Sequence, residues 1–576
     1  MKKTKKSNTK KTGSWLICQA FNEAGVNTIF GYTGGAIMPI YHELTKFPHI
    51  KHITTRHEQG AAFAAQGYAR ATGKVGFVMT TSGPGATNSI TGVADAMLDS
   101  VPIMVITGQV ATSVIGSDAF QENDVVGLML PITKHSTIAT SINSLATTFH
   151  ELVDIALDGR PGPVHLDLPK NIQFAIPSKN IKVVKKRKSR YITVKPSKQA
   201  YIKTAKYINE SKQPVVFCGH GVVISRSQQL FTKFIEKGKL PFSSTSHGLS
   251  AVPADHKLHL GMMGMHGTVE ANKAIHNADC IVALGMRFDD RVTGKLAEYA
   301  PNAKIVHVDI DLSELGKNVK PDVSINADVK EALSTLLPVI TRKSRKGWFA
   351  QIKENQEKWK KYITPLIKKG VGDNGGLLMK TIISKLSDAT NGTDNIVSDV
   401  GIHEMMCARF YNFQRFNTWF HSGGAGTMGF SLPSSIGVKM ARPKERVWAV
   451  MGDGGFQMNV QELGTILSQK LDIKIIVLNN GVLGMVRQWQ DLFFDKNYAE
   501  TNLINPDFVK LAESYNIPGK RVSKVNEIDS AVKWAMKTKG PTIIEFVCDK
   551  DEKIFPMIPS NANFMQMIET HHDTKK

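Results

Sequence analysis

A chain of 576 residues is too long for one hydrophobic core and calls for about three large domains. Its 42% hydrophobic and 21% charged residues are those of a folded globular protein and exclude a largely disordered chain. The net charge of +22 would suit a nucleic-acid or membrane-surface partner, but much of the excess sits in the first eleven residues and in KKRKSR at 185–190. No basic stripe with interleaved aromatics accompanies these runs, so neither nucleic acid nor membrane is expected as a partner.

Along the chain, residues 1–12 form a basic tail, and no apolar run approaches membrane-spanning length. A cytoplasmic location is expected, although the acid-free start also fits an organelle-targeting segment. From 13 to 178, helix-like stretches alternate with short apolar runs such as VGFVMT (75–80) and PIMVITG (102–108), the pattern of βα units around a parallel sheet. A basic linker is expected over 179–196. A second α/β domain is expected over 197–342, with strands at PVVFCG (214–219), DCIVALG (279–285) and KIVHVDID (304–311). The charged stretch 343–370 reads as a linking helix without a clean core face. A third α/β domain over 371–550 has strands at RVWAVMG (446–452) and KIIVLNN (474–480), and 551–576 is a C-terminal tail. The fold class is therefore α/β, with three doubly wound parallel-sheet domains. Five scattered cysteines offer neither a disulfide framework nor metal-ligand spacing.

The strongest local signal is GDGGFQMN at 452–459, directly after a predicted strand, followed by a second strand that ends in Asn479 and Asn480. This puts Asp453 and Asn480 at carboxyl ends of strands, the edge where open α/β sheets bind ligands. Their carboxylate and amide oxygens are hard donors suited to magnesium, which completes its octahedron with phosphate oxygens. Gly454 and Gly455 leave backbone N–H groups open to a diphosphate. A lone GDGG also fits a plain strand–turn–helix, but its spacing to the Asn pair weighs against that. In the first domain Glu58 stands among small apolar residues in TRHEQGAAFAAQGYARATGKVG (55–76). A partly shielded carboxyl there can exchange a proton with a ring nitrogen; the alternative is a helix-start acid serving the dipole.

GDG, some twenty-odd residues and NN resemble the diphosphate-binding motif of thiamine-diphosphate enzymes. The resemblance implies that Asp453, Asn480 and the Val482 carbonyl hold Mg2+, with Gly454, Gly455 and His403 near the diphosphate. SGGAGTMGFSLPSSIG (422–437) is similar to the segment whose glycine carbonyl, here Gly426, receives the cofactor's amino group while Met428 wedges the cofactor into a V. Glu58 matches the glutamate that activates the cofactor, and the family joins the two halves across a homodimer interface.

FGYTGGAIMPIYHEL (30–44), TSGPGATNSITGVADAMLDSVP (81–102), GSDAFQENDVVG (116–127), RFDDRVTGK (287–295) and MVRQWQ (485–490) resemble the large catalytic subunits of acetohydroxyacid (acetolactate) synthases over nearly the whole chain. That resemblance implies three domains: pyrimidine-binding, central FAD-binding-like and diphosphate-binding. It implies that pyruvate is decarboxylated on thiamine diphosphate and the hydroxyethyl carbanion joined to pyruvate or 2-oxobutanoate. The products, 2-acetolactate and 2-aceto-2-hydroxybutanoate, begin branched-chain amino-acid synthesis. Gln121 is placed with Glu58 in the catalytic set, and Phe120, Lys134, Met265, Arg291, Met485 and Trp489 are placed around the substrate. A planar guanidinium such as that of Arg291 binds a carboxylate bidentately, and Trp489 offers a surface on which one extra methylene is worth about 1–3 kcal/mol. An exposed arginine and ordinary core packing are the plain alternatives for these residues.

FAD is implied as a third cofactor, at Arg160, Gly219, Gly221, His266, Arg287, Asp309 and Asp328, although GHGVV is not GxGxxG. A homodimer or tetramer and a small regulatory subunit are implied partners. The chain departs from the family pattern at Thr33 for Pro, Ala425 for Leu, Asn561 for Gly, and in VGIHEMM (400–406) for VGQHQMW, where Ile402 lacks the donor that helps hold the diphosphate. The rival readings are a flavin-linked pyruvate oxidase and a catalytically weak homologue.

Overall fold

The computed structural model describes residues 11–178, 196–571 and 573. Most of the basic tail and nearly all of the 179–196 linker lie outside the described residues. Among those described, strands gather into three six-stranded sheets in which every paired neighbour is parallel.

The first sheet holds β1 (Thr28–Gly31), β2 (Lys51–Thr54), β3 (Gly76–Thr80), β4 (Ile103–Gln109), β5 (His135–Ile138) and β6 (Val164–Pro169), in the order β2-β1-β3-β4-β6-β5. The second holds β7 (Pro214–Cys218), β8 (Phe242–Ser244), β9 (His259–Met262), β10 (Cys280–Leu284), β11 (Lys304–Asp309) and β12 (Val323–Asn326), ordered β12-β11-β10-β7-β8-β9. The third holds β13 (Asn395–Ser398), β14 (Trp419–Phe420), β15 (Val447–Gly452), β16 (Lys474–Asn479), β17 (Gly519–Val522) and β18 (Thr542–Val547), ordered β14-β13-β15-β16-β18-β17. Central strands such as β4, β10 and β13 are buried along their whole length, because helices cover both faces of a parallel sheet. β10, CIVAL, is apolar throughout, as that burial requires.

The chain divides into two compact units. One comprises the described residues of Met1–Tyr191 with Gly424–Lys444 and Asn459–Leu471; the other comprises those of Ile192–Gly423, Glu445–Met458 and Asp472–Lys576. Within the first, the helix Glu58–Thr72 packs on the helix Ser431–Ala441. Their contact is backbone-close: a Cβ on Gly67 would lie 2.1 Å from the Ser434 carbonyl, and one on Gly437 1.8 Å from that of Ala64.

Two expectations need correcting in the second unit. The charged helix Lys346–Lys369 does have a core face, since Trp348 and Ile352 are buried with Val215 and Phe217 of β7, and Trp348 Nε1 donates to the Pro214 carbonyl at 3.1 Å. Residues 551–571 are also no loose tail. Ile558, Phe564 and Met567 join the same core, and Met557 exchanges backbone hydrogen bonds with Ile568. Apolar residues spaced irregularly along such a segment carry no period by which sequence reading finds them.

Candidate active site

At the carboxyl edge of the third sheet, β15 ends in Gly452 and leads into the short helix Asp453–Met458, while β16 ends beside Asn480. Asp453 is 1% exposed, and its Oδ2 accepts from Asn505 Nδ2 at 2.6 Å. The Asn480 amide oxygen lies 3.2 Å from Asp453 Oδ1 and 2.9 Å from the Val482 carbonyl oxygen. Turning that amide over would convert both approaches into hydrogen bonds. In the orientation present, the three oxygens converge and the Val482 N–H donates to the Asn480 oxygen at 3.3 Å, a donor set that a cation would complete. Edges near 3 Å are those of an octahedron with bonds of about 2.1 Å, so the donor set fits magnesium. Burial also pushes the Asp453 carboxyl up, against hydrogen bonds from Asn505 and local backbone. A cation reverses that penalty.

His403 is buried, and its Nε2 accepts from the Gly452 N–H at 3.3 Å, which ties it to the end of β15. Burial pushes the imidazole down to about 4, opposed by backbone hydrogen bonding at Asp399, so the ring is neutral. A Cβ on Gly455 would lie 2.8 Å from Asp399 Oδ1, so only glycine leaves this turn open. Ile402 opens the helix Ile402–Phe410 and is 3% exposed within the apolar core.

In the other unit, Glu58 is the first residue of its helix, half-buried, and its Oε2 accepts from Asn88 Nδ2 at 3.0 Å. Gly426 has φ +67°, and Met428 is half-buried in the same loop. That loop is pinned at three points: Gly424 N–H donates to Asp99 Oδ1 at 2.7 Å, Thr427 Oγ1 to Asp95 Oδ1 at 2.8 Å, and Asn459 Nδ2 to the Gly429 carbonyl at 2.7 Å. Sequence reading missed Asn88, Asp95, Asp99, Asn459 and, in the second unit, Asn505. Asn88, Asp95 and Asp99 fall inside a quoted segment, but their partners are remote in sequence.

Of the substrate candidates in this unit, Phe120 is 86% exposed, and Gln121 sits at φ +61° against Gly83. Lys134 is engaged elsewhere: its Nζ donates to the carbonyls of Ile155 and Asp158. Carbonyls at the end of the helix Leu145–Leu157 attract a cation, which explains the difference from the expected substrate contact. In the second unit Met265 and Arg291 are adjacent, with Met265 N–H donating to the Arg291 carbonyl at 2.8 Å and Arg291 Nη1 lying 3.5 Å from Met265 Sδ. Met485 and Trp489 lie one turn apart on the helix Gly484–Phe493, and so share a face.

The second sheet differs in topology. Numbered from its own first strand its order is 6-5-4-1-2-3, that of dinucleotide-binding sheets, whose ligand crevice lies where the order reverses, here between β7 and β10. Gly219 and Gly221 follow β7 at this point, and both donate backbone N–H groups to the β10 end, at Leu284 and Gly285, at 3.0 Å. A Cβ on either would come within 2.7 Å of Gly285 backbone atoms. Arg287 follows β10, Asp309 ends β11, and Asp328 caps the helix after β12, accepting from Lys330 N–H at 2.8 Å. His266 is buried with Nδ1 lacking a hydrogen-bond partner, and burial, with Arg409 and Arg291 nearby, pushes it down to about 3. A crevice of this topology fits a dinucleotide such as FAD. Arg160, in the other unit, donates Nε to Ser100 Oγ at 2.8 Å.

Sheets of this kind, with a magnesium-type oxygen cluster beside an open glycine turn, define a thiamine-diphosphate enzyme. The chain matches the N-terminal thiamine pyrophosphate (TPP) binding domain of such enzymes over residues 11–128, their central domain over 202–336 and their C-terminal TPP binding domain over 399–546. It is 41% identical over 559 residues to the acetolactate synthase isozyme 2 large subunit of Escherichia coli, covering 97% of this chain and 99% of the relative. The acetolactate synthase large subunit of Cyanidium caldarium is 41% identical, covering 98% of each chain. The chloroplastic acetolactate synthase 2 of Nicotiana tabacum is 41% identical, covering 96% of this chain and 85% of the relative. The chain belongs to the acetolactate synthase family.

Proposed function

We propose that this protein joins two 2-oxo acids with loss of carbon dioxide. Two molecules of pyruvate give 2-acetolactate; pyruvate and 2-oxobutanoate give 2-aceto-2-hydroxybutanoate, at the head of valine, leucine and isoleucine synthesis. The observation that carries this reading is the three-oxygen cluster of Asp453, Asn480 and Val482, in a chain of this family along almost its full length.

Asp453, Asn480 and the Val482 carbonyl would hold Mg2+, and the N–H groups of Gly454 and Gly455 would face the diphosphate. Bound thiamine diphosphate supplies the electron sink for decarboxylation and carbon–carbon bond formation. Glu58, hydrogen-bonded to Asn88, would exchange a proton with the aminopyrimidine ring of the bound cofactor. The Gly426 carbonyl would accept from the cofactor's amino group, Met428 would support the cofactor, and His403, which accepts from the Gly452 N–H, would steady the strand end that leads to the diphosphate site. Phe120 and Gln121 in the first unit, and Met265, Met485 and Trp489 in the second, are the proposed substrate contacts, with Arg291 to bind the carboxylate of the second acid. Lys134 supports the pocket through the carbonyls it holds. Gly219, Gly221, His266, Arg287, Asp309 and Asp328 are the proposed flavin contacts of the second unit and Arg160 that of the first, and the flavin would do no net redox work. The active assembly is a homodimer or tetramer in the cytoplasm, served by a small regulatory subunit.

Purified protein supplied with pyruvate, thiamine diphosphate, Mg2+ and FAD is expected to form one acetolactate and release one carbon dioxide for every two pyruvates, with no electron acceptor consumed. Pyruvate oxidation coupled to acceptor reduction, without acetolactate, would replace this reading by the oxidase one.

A further inference from the structure

An acid that exchanges a proton with a bound ring has to be placed closely, since a misplacement of about 1 Å can cost about 100-fold in rate. Glu58 opens its helix, and the chain entering it is extended, with His57 at φ −153° and ψ 146°. The N–H groups of Arg56 and His57 face away from any helical acceptor. Both are taken by one oxygen of a single carboxylate: Glu462 Oε1 accepts from Arg56 N at 2.9 Å and from His57 N at 3.1 Å. Its other oxygen, Oε2, accepts from Thr465 Oγ1 at 2.7 Å, and Arg56 Nη2 donates to the Gly464 carbonyl at 3.2 Å. All these groups lie within one compact unit.

We propose that Glu462 is the positioning residue for Glu58, its buried carboxylate fixing the backbone entry to the helix and so the place of the Glu58 carboxyl. Three observations support the assignment. Glu462 is 0% exposed, a costly place for a carboxylate unless its hydrogen bonds are needed. Gly60, two residues beyond Glu58, leaves room for it, because a Cβ there would lie 2.6 Å from Glu462 Oε1. The carboxylate also stands at the positive end of the Glu58 helix, where a negative charge is favoured. Burial pushes the Glu462 carboxyl up, opposed by its hydrogen bonds from Thr465, Arg56 and His57.

The proposal rests on the reading of Glu58 as the acid that activates the cofactor, and the test separates the two. Exchange of the thiazolium C2 proton of bound thiamine diphosphate for deuterium, measured by quenching and NMR, reports Glu58 action without turnover. Glu462→Ala is expected to slow this exchange about 10- to 100-fold while thiamine-diphosphate affinity stays within about 3-fold, and to lower kcat with little change in KM. Glu462→Gln keeps an oxygen for both N–H groups and is expected to stay within about 3-fold of wild type. If Glu462→Ala does not fold, Gly60→Ala carries the test, since its methyl group displaces the carboxylate without removing it; it too should slow exchange. Exchange at the wild-type rate in whichever of these two variants folds, or Glu462→Gln as slow as Glu462→Ala, would overturn the proposal. If Glu58→Gln itself exchanges at the wild-type rate, the reading of Glu58 fails instead.

Discussion

The first and third sheets have the same strand order, 2-1-3-4-6-5 when each is numbered from its own first strand, yet their functional corners carry opposite chemistry. Beyond the first sheet, a carboxyl group stands at a helix start with an amide donor, Asn88, on one oxygen and with backbone held in place by a second carboxylate, Glu462. At the edge of the third sheet, a buried carboxylate faces two more oxygens and only one side-chain donor, Asn505. The first arrangement is the one for which proton exchange is proposed. The second wants a cation. Strand order fixes where a ligand lies, and the residues at the strand ends decide what is done to it.

That contrast predicts two kinds of failure. Glu58→Gln keeps the size and loses the titrating proton. It is expected to cost about 10²- to 10⁴-fold in acetolactate formation with thiamine diphosphate still bound, as assayed by turnover beside cofactor titration. Parallel losses of activity and binding would make Glu58 structural. Asp453→Ala should fail in the reverse sense. Removal of the one charged oxygen of the cluster is expected to weaken Mg2+-dependent cofactor binding by at least about 10- to 100-fold, read by fluorescence titration with and without the metal. At saturating cofactor, part of the rate should return. If affinity is unchanged, the three oxygens do not form the metal site.

What could be read in the sequence follows the same division. The convergence of Asp453, Asn480 and Val482 was legible because they follow consecutive strand ends, so a short local pattern contains all three. Glu462, Asp95, Asp99 and Asn505 were not, because each acts on a segment brought to it only by the fold; Glu462 serves His57 from 405 positions away. Lys134 was legible as a cation, but the helix-end carbonyls that take its ammonium were not. The strand order that makes the second sheet a dinucleotide-type crevice is likewise a property of pairing, invisible in GHGVV alone.

The smallest expected effect concerns Ile402, the one departure that touches the diphosphate side of the contrast. Its side chain is 3% exposed, and a Cβ on Gly484 would lie 3.0 Å from its Cγ2 and 2.9 Å from Asn480 Nδ2, which puts Ile402 beside the oxygen cluster. An isoleucine there gives packing but no donor. Ile402→Gln exchanges buried apolar surface for one hydrogen bond. A bond to a charged group contributes about 1.5–3 kcal/mol, so thiamine-diphosphate affinity is expected to rise about 10-fold. Without cofactor the amide lies unpaired in this apolar core, so the apo protein is expected to melt several degrees lower. Saturating cofactor should recover much of that loss, since a ligand bound only by the folded state stabilises it. Cofactor titration and melting curves with and without thiamine diphosphate check both halves. Unchanged affinity in a folded variant would show that the diphosphate is held without help from this position.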